Sequence, residues 1–269
     1  MSLYANTRKS LTVSDLAAMK QAGEKISCLT AYDASFSALI DQCGIDLILV
    51  GDSLGMVIQG HNSTIPVTID DMVYHSRCVS SASKRALVIA DLPFASYANP
   101  QQALANAARL MQQGGVQMVK LEGARLDSIS HLVAQGIPVC GHLGLLPQSV
   151  NTLGGYKVQG REASQAQSIV DDALKIEQAG ASLLVLECVP ASLAKQISQQ
   201  LTIPVIGIGA GVDCDGQVLV LYDMLNISIG NRPRFSKNFM ANANSIEQAL
   251  SDYHHAVKNA SFPASEHSY

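Results

Sequence analysis

Leu47-Ile-Leu-Val-Gly-Asp52 is a run of branched apolar residues closed by a glycine and a carboxylate, and three more runs end in the same way. They are Leu87-Val-Ile-Ala-Asp91, Met118-Val-Lys-Leu-Glu122 and Leu183-Leu-Val-Leu-Glu187. A short Leu, Ile and Val run bounded by turn residues reads as a strand buried on both faces. The acid then sits where the sheet stops and the loops begin. Four acids at equivalent places predict a ring of oxygen ligands and bases around one pocket.

Outward from these runs, strand-like and helix-like segments alternate almost from end to end. The predicted strands are Ile26–Thr30, Leu47–Val50, Leu87–Ala90, Met118–Leu121, Pro138–Gly141, Leu183–Leu186, Pro204–Ile208 and Val218–Leu221. Phe36, Leu39, Ile40 and Cys43 fall on one helical face. Asn99-Pro100 opens another helix with an N-cap and a first-turn proline. Gln42-Cys-Gly44, Gln113-Gly-Gly115, Gln135-Gly136 and Gln178-Ala-Gly180 each close a helix before a strand, glycine supplying the left-handed stop. Gln21-Ala-Gly23 does the same after an N-terminal helix that Ser14-Asp15 is expected to cap. Eight strands with intervening helices predict a (β/α)8 TIM barrel, with an open flavodoxin-like sheet as the alternative. Such a barrel takes about 250 residues, so residues 1–269 are expected to form a single catalytic domain.

The composition agrees: 48% hydrophobic and 15% charged residues leave ample apolar surface for a large core. Eighteen Lys and Arg against 22 Asp and Glu give a net charge of −4, and without a basic stripe nucleic acid is not an expected partner. The segment Met1–Lys9 has no apolar stretch of the signal-peptide kind. No apolar run approaches the roughly 20 residues of a membrane span. Six cysteines without a CxxC pair point to a reducing, cytoplasmic compartment.

In a barrel the chemistry sits at the C-terminal ends of the strands, which puts Asp52, Asp91, Glu122, His142 and Glu187 on one rim. Lys120 lies two residues before Glu122, on the same side of its strand. Hard oxygen ligands suit Mg²⁺, and no HxxxH or cysteine cluster points to zinc. The competing reading is that these acids cap loop amides or pair with Lys and Arg. Glu187, after four apolar residues, is expected to be desolvated as a general base is; a structural hydrogen bond is its alternative. His142 is read either as a group orienting a substrate oxygen or as a buried histidine satisfied by backbone. His254-His255 reads as a solvated pair. Gly207-Ile-Gly-Ala-Gly211 lacks the context of a dinucleotide loop; its glycines are expected to let backbone approach a ligand or a neighbouring loop.

With the motifs taken together the chain resembles the ketopantoate hydroxymethyltransferase family. The resemblance rests on Val50-Gly-Asp-Ser-Leu-Gly-Met-Val57, Ala90-Asp-Leu-Pro-Phe94, Val119-Lys-Leu-Glu122, Pro138-Val-Cys-Gly-His-Leu-Gly144 and Pro147-Gln-Ser-Val-Asn151. It continues through Gly154-Gly-Tyr-Lys-Val-Gln-Gly160, Leu184-Val-Leu-Glu-Cys-Val-Pro190 and Asp215-Gly-Gln-Val-Leu-Val220. The resemblance implies a barrel of the phosphoenolpyruvate/pyruvate type, usually a homodecamer. It implies transfer of a hydroxymethyl group from 5,10-methylenetetrahydrofolate to 3-methyl-2-oxobutanoate, giving 2-dehydropantoate for pantothenate synthesis. By the same resemblance Asp52 and Asp91 match Mg²⁺ ligands, Glu122 the third acid of the metal site, Ser53 and Lys120 the groups that hold the oxo acid, and Glu187 the base.

Three features depart from the family pattern: Tyr222 where His is common, Asn226 where Gly is usual, and Ser80-Ser-Ala-Ser-Lys84 in place of an Arg-Gly-rich turn. The first two fall near the mouth of the eighth strand and bear on folate affinity or loop closure. The third reads as a surface turn. Rival readings are a lyase or phosphonopyruvate-type enzyme of the same superfamily and a non-catalytic barrel. The first commonly carries a lid cysteine, absent from Leu92-Pro-Phe-Ala-Ser-Tyr97; the intact Asp52, Asp91, Lys120 and Glu187 set speaks against the second.

Overall fold

Eight parallel strands close into a barrel in simple chain order in a computed structural model that describes residues 10–230 and 232–269. The strands are β1 (Ile26–Thr30), β2 (Leu47–Val50), β3 (Leu87–Asp91), β4 (Met118–Glu122), β5 (Val139–Gly144), β6 (Leu183–Glu187), β7 (Val205–Ile208) and β8 (Gly216–Leu219). Helices lie between most successive strands, and the helix Ile246–Lys258 packs back onto β1. The (β/α)8 expectation holds; the reading of Met1–Lys9 falls outside the described residues.

Both faces of the strands are buried, which is why they read as unbroken apolar runs. One set of alternate residues, including Leu29, Ile48, Val88, Val119 and Leu184, faces the helices. The other, including Cys28, Leu49, Ile89, Met118, Cys140 and Val185, fills the barrel. Leu16 and Met19 of the helix Val13–Gln21 join this inner set and close the barrel's N-terminal end.

Several boundaries move. β8 starts and ends two residues earlier than Val218–Leu221, since Gly216 and Gln217 pair with β1 and β7 while Leu221 begins a short helix. β5 runs on to Gly144 because its last residues pair with β6. The first helix is capped by Thr12, not by Ser14-Asp15; Asp15 instead accepts from the Thr12 backbone as the third residue of a capping box. Asn99 caps the helix Pro100–Gln112 as expected, and Gly23, Gly44, Gly115, Gly136 and Gly180 all take positive φ after their helices. The Ser80–Lys84 turn is anchored, with Asp41 accepting from the backbone of Lys84, Arg85 and Ala86.

Candidate active site

The alternation that fills the barrel continues past its apolar layers and turns polar at the C-terminal mouth. Leu87 and Ile89 are followed inward by Asp91, Met118 by Lys120 and Glu122, Cys140 by His142, and Leu183 and Val185 by Glu187. The parallel register sets Asp91 opposite Lys120, Glu122 opposite His142, and Gly144 opposite Glu187. Asp52 and Ser53 enter from the turn after β2. All seven residues singled out from the sequence line one cavity of about 590 Å³. Its outer wall carries apolar groups, among them Met56, Tyr156, Ile208 and Phe235.

The buried Lys120 Nζ lies 2.5 Å from Asp91 Oδ1, and Asp91 Oδ2 accepts from the Asp52 backbone N–H at 3.0 Å. Burial works against charge on Lys120, but Asp91, Glu122 and Asp52 outweigh it and hold the group as ammonium. Asp52 is pushed the other way: burial and then the like charges of Asp91 and Glu122 drive its carboxyl well above the ordinary range.

His142 Nδ1 stands 3.5 Å from Glu122 Oε1, and Nε2 3.3 Å from Glu187 Oε2. Neither nitrogen makes a hydrogen bond of good geometry; each faces a carboxylate oxygen at longer range. Burial and Lys120 push the imidazole's pKa down, but the contacts with Glu122 and Glu187 prevail and raise it to about 9. The backbone-satisfied reading of His142 is therefore replaced by a carboxylate–imidazolium–carboxylate row. Glu187 is not sealed in an apolar pocket as its sequence neighbours imply: its side chain keeps 15% exposure to the cavity and faces His142. Gly144, at φ +93°, passes so close to β6 that a Cβ would lie 2.2 Å from the Glu187 carbonyl oxygen.

Residues that sequence reasoning missed hold the seven in place. The Tyr32 hydroxyl lies 2.9 Å from Ser53 Oγ. Gln148 Nε2 donates to Asp52 Oδ2 at 2.8 Å, and Tyr97 Oη donates to Gln148 Oε1 at 2.5 Å. Only Gln148 left a trace in the sequence, inside the Pro147-Gln-Ser-Val-Asn151 motif. In the glycine run after β7, a Cβ on Gly209 would meet Phe235 and Tyr269 at 3.1 Å, so the close approach is to a neighbouring segment. His254 is not merely solvated; it is half-buried, with Nδ1 2.8 Å from Ser27 Oγ at the other end of the barrel. Tyr222 packs against Tyr32 and Phe36, ring centroids 5.8 and 6.1 Å apart. Asn226 takes a left-handed φ of 58°, which asparagine adopts more readily than most residues.

Among the described residues no three His, Cys, Asp or Glu side chains close into a ready-made metal shell. Yet four carboxylates, Asp52, Asp91, Glu122 and Glu187, face one ammonium and one imidazolium, an excess of negative charge in a buried place. Such a donor set fits a hard divalent cation that keeps waters and takes substrate oxygens, rather than one caged by protein alone.

Fold and site together define a carboxylate-rimmed (β/α)8 barrel enzyme. Solved structures share that fold: phosphonopyruvate hydrolase in complex with oxalate and Mg²⁺ superposes with a TM-score of 0.59 at 13% identity, over 77% of this chain and 80% of that one. Oxaloacetate acetylhydrolase in complex with 3,3-difluorooxalacetate gives a TM-score of 0.60 at 11% identity, over 96% and 99%. The chain belongs to the ketopantoate hydroxymethyltransferase family, whose family model matches residues 10–265. Proteins named 3-methyl-2-oxobutanoate hydroxymethyltransferase are 57% identical over 265 residues in Alkalilimnicola ehrlichii (98% of this chain, 96% of that one). In Shewanella loihica the figure is 58% over 261 residues (96% and 98%).

Proposed function

We infer that this chain transfers a hydroxymethyl group from 5,10-methylenetetrahydrofolate to 3-methyl-2-oxobutanoate, forming 2-dehydropantoate for pantothenate biosynthesis. The observation that carries the reading is the family match over residues 10–265, in a chain whose barrel mouth turns Asp91, Lys120 and Glu187 into one cavity.

The C3 proton of a branched 2-oxo acid is too weakly acidic to leave unaided near neutral pH. Mg²⁺ held by Asp52 and Asp91, with Glu122 as the third acid, would supply the Lewis acidity that stabilises the enolate. Lys120, kept charged by its acidic neighbours, offsets the negative charge of the bound oxo acid. Ser53, steadied by Tyr32, donates to that substrate. Glu187 accepts the C3 proton, its Oε2 held in place by His142. The nucleophilic C3 then bonds to the methylene carbon of the folate as one of its C–N bonds breaks. Water displaces the second nitrogen to give the hydroxymethyl group. Tetrahydrofolate leaves with its two nitrogens reprotonated, one by the proton taken from C3 and one by the proton lost from water. The apolar outer wall keeps bulk water from the nucleophilic carbon.

The reading extends to the whole chain as one catalytic barrel working in the cytoplasm as a homo-oligomer, decameric by family resemblance. Consistent with it, all six cysteines are free, and no helix among the described residues is long and apolar enough to cross a membrane. Light scattering of the purified chain tests the assembly.

Proton NMR in D₂O with Mg²⁺, the oxo acid and the folate tests the activity. Loss of the C3 proton signal with appearance of 2-dehydropantoate is the expected result. Exchange without product would keep the enolisation and remove the folate step. Neither signal from folded, metal-loaded protein would end the reading.

A further inference from the structure

Gln148 does not face the main cavity; it stands behind Asp52, 5% exposed, on the short turn Pro147–Ser149 that follows β5. Four hydrogen bonds tie it to three of the acid-bearing strand ends. Its Nε2 donates to Asp52 Oδ2 at 2.8 Å and to the Leu92 carbonyl at 3.0 Å. Its Oε1 accepts from the Tyr97 hydroxyl at 2.5 Å. Its backbone N–H donates to Glu122 Oε2 at 3.1 Å.

The direction of this chain is set by chemistry. An amide turned the other way would press Oε1 against the Asp52 carboxylate and leave the Leu92 carbonyl without its donor. The Glu122 backbone N–H donates to Tyr97 Oη at 3.3 Å, which commits the phenol as acceptor there and frees its proton for Gln148. Proton donation therefore runs from Glu122 N–H through Tyr97 and Gln148 to one oxygen of Asp52. The Gln148 backbone closes the loop onto the Glu122 carboxylate. Asp52 keeps Oδ1 for whatever enters the cavity.

We propose that Gln148 is a positioning residue for the divalent cation and the oxo acid: it fixes the rotation of the Asp52 carboxylate and its spacing from Glu122, with Tyr97 setting the orientation of its amide. This rests on the function proposed above. Partners one shell out from a metal ligand typically change metal affinity by about 10–100-fold when removed.

The test uses the full chain with native residues, with Gln148→Met (similar length, no hydrogen bonds) and with Tyr97→Phe. Calorimetry measures Mg²⁺-dependent binding of 3-methyl-2-oxobutanoate, and steady-state kinetics separates kcat from KM for each substrate. Gln148→Met is expected to weaken that binding by about 10-fold or more and to raise the KM of the oxo acid in step, while the KM of the folate stays within about twofold. Tyr97→Phe is expected to act in the same direction, less strongly. If native protein shows no Mg²⁺-dependent binding, the proposed function falls and this proposal with it. Native binding together with unchanged binding in both folded variants would overturn the positioning role alone. So would a rise in folate KM as large as that of the oxo acid, since general disorder moves both. Should Gln148→Met not fold, Tyr97→Phe decides by the same readouts.

Discussion

Asp46 and Asp52 stand just before and just after β2, at opposite ends of the barrel; both are buried and their surroundings are opposites. Asp46 accepts from the Ser27 backbone and hydroxyl, both at 3.0 Å, and pairs with Arg85 at 2.9 Å and Lys258 at 2.7 Å. Burial pushes its carboxyl up, but Lys258, Ser27 and Arg85 together hold it below the ordinary value. Asp52 has Gln148 on one oxygen and the like charges of Asp91 and Glu122 nearby, and its carboxyl is pushed up. At the Asp46 end, Lys20 pairs with Asp215 at 2.8 Å. A depression there, lined by Asp46, Arg85, His254 and Lys258, is about as large as the mouth cavity, at about 570 Å³. Volume does not distinguish the ends; charge balance does. At one end the chain neutralises its own charges and fastens its last helix. At the other it leaves an excess of negative charge, which the proposed cation would balance.

The largest expected effect lies at Glu187. Glu187→Gln keeps the size of the side chain and removes the carboxylate proposed to accept the C3 proton. General-base loss typically costs about 10²–10⁴ in rate, and kcat is expected to fall in that range while calorimetric binding of Mg²⁺ and oxo acid persists. Native-like turnover would remove Glu187 from the role of base.

Asp91→Ala is the next largest. It strips Lys120 of its 2.5 Å partner and the Asp52 backbone of its acceptor. Mg²⁺-dependent binding of the oxo acid is expected to weaken by more than the roughly 10–100-fold of an outer-shell change. Calorimetry with unchanged affinity would refute the assignment.

The barrel and its acid rim were legible because strands carry a period. Apolar residues on both faces of β2, β3, β4 and β6 marked the strands, and the acids fell at their ends. Period-2 alternation alone puts Lys120 and Glu122 on one side of their strand. What stayed hidden came from loops or from contacts across strands. Gly216-Gln217 looked like a loop, yet a Cβ at Gly216 would lie 2.3 Å from the Ile26 carbonyl, so only glycine lets β8 close the barrel there. Tyr97 and Gln148 sit on segments without a period, so nothing in their spacing showed that they meet. The row Glu122–His142–Glu187 joins three strands distant in sequence, and a lone histidine on an apolar strand does not announce two carboxylate neighbours.

The N-terminal end responds in stability and leaves catalysis alone. Asp46→Asn leaves Arg85 and Lys258 without their shared anion. Because both cations retain some solvent contact, 25% and 19%, the loss is expected near the lower end of the buried-pair range, about 3 kcal/mol. The pH dependence has a definite sign. A carboxyl lowered on folding contributes stability above its unfolded value of 3.8, and the contribution is lost as pH falls through the lower folded value. Native protein should therefore lose stability below about pH 4 more steeply than the variant, with the kcat of folded enzyme unchanged. Thermal unfolding at pH 7 that matches native would show that Asp46 fastens nothing.

The smallest effect sharpens where the sensitive part of the mouth ends. Asn226, which by the resemblance stands where glycine is expected, follows β8 with φ at 58° and its side-chain oxygen accepting from Arg232 at 3.2 Å. Glycine adopts that conformation without strain but gives up the Arg232 contact and has more freedom to lose on folding. These terms oppose each other, so Asn226→Gly is expected to change unfolding free energy by less than about 0.5 kcal/mol. Asn226→Ala keeps the left-handed demand with neither glycine's freedom nor asparagine's local hydrogen bonding, and should cost about 1 kcal/mol. Denaturant unfolding of the two variants separates backbone demand from side-chain chemistry. If both leave the KM of folate unchanged, the departure at Asn226 concerns only the path of the chain, and the functional part of the mouth is confined to the inward-facing charges. A several-fold rise in folate KM for Asn226→Gly would extend that part outward to the rim.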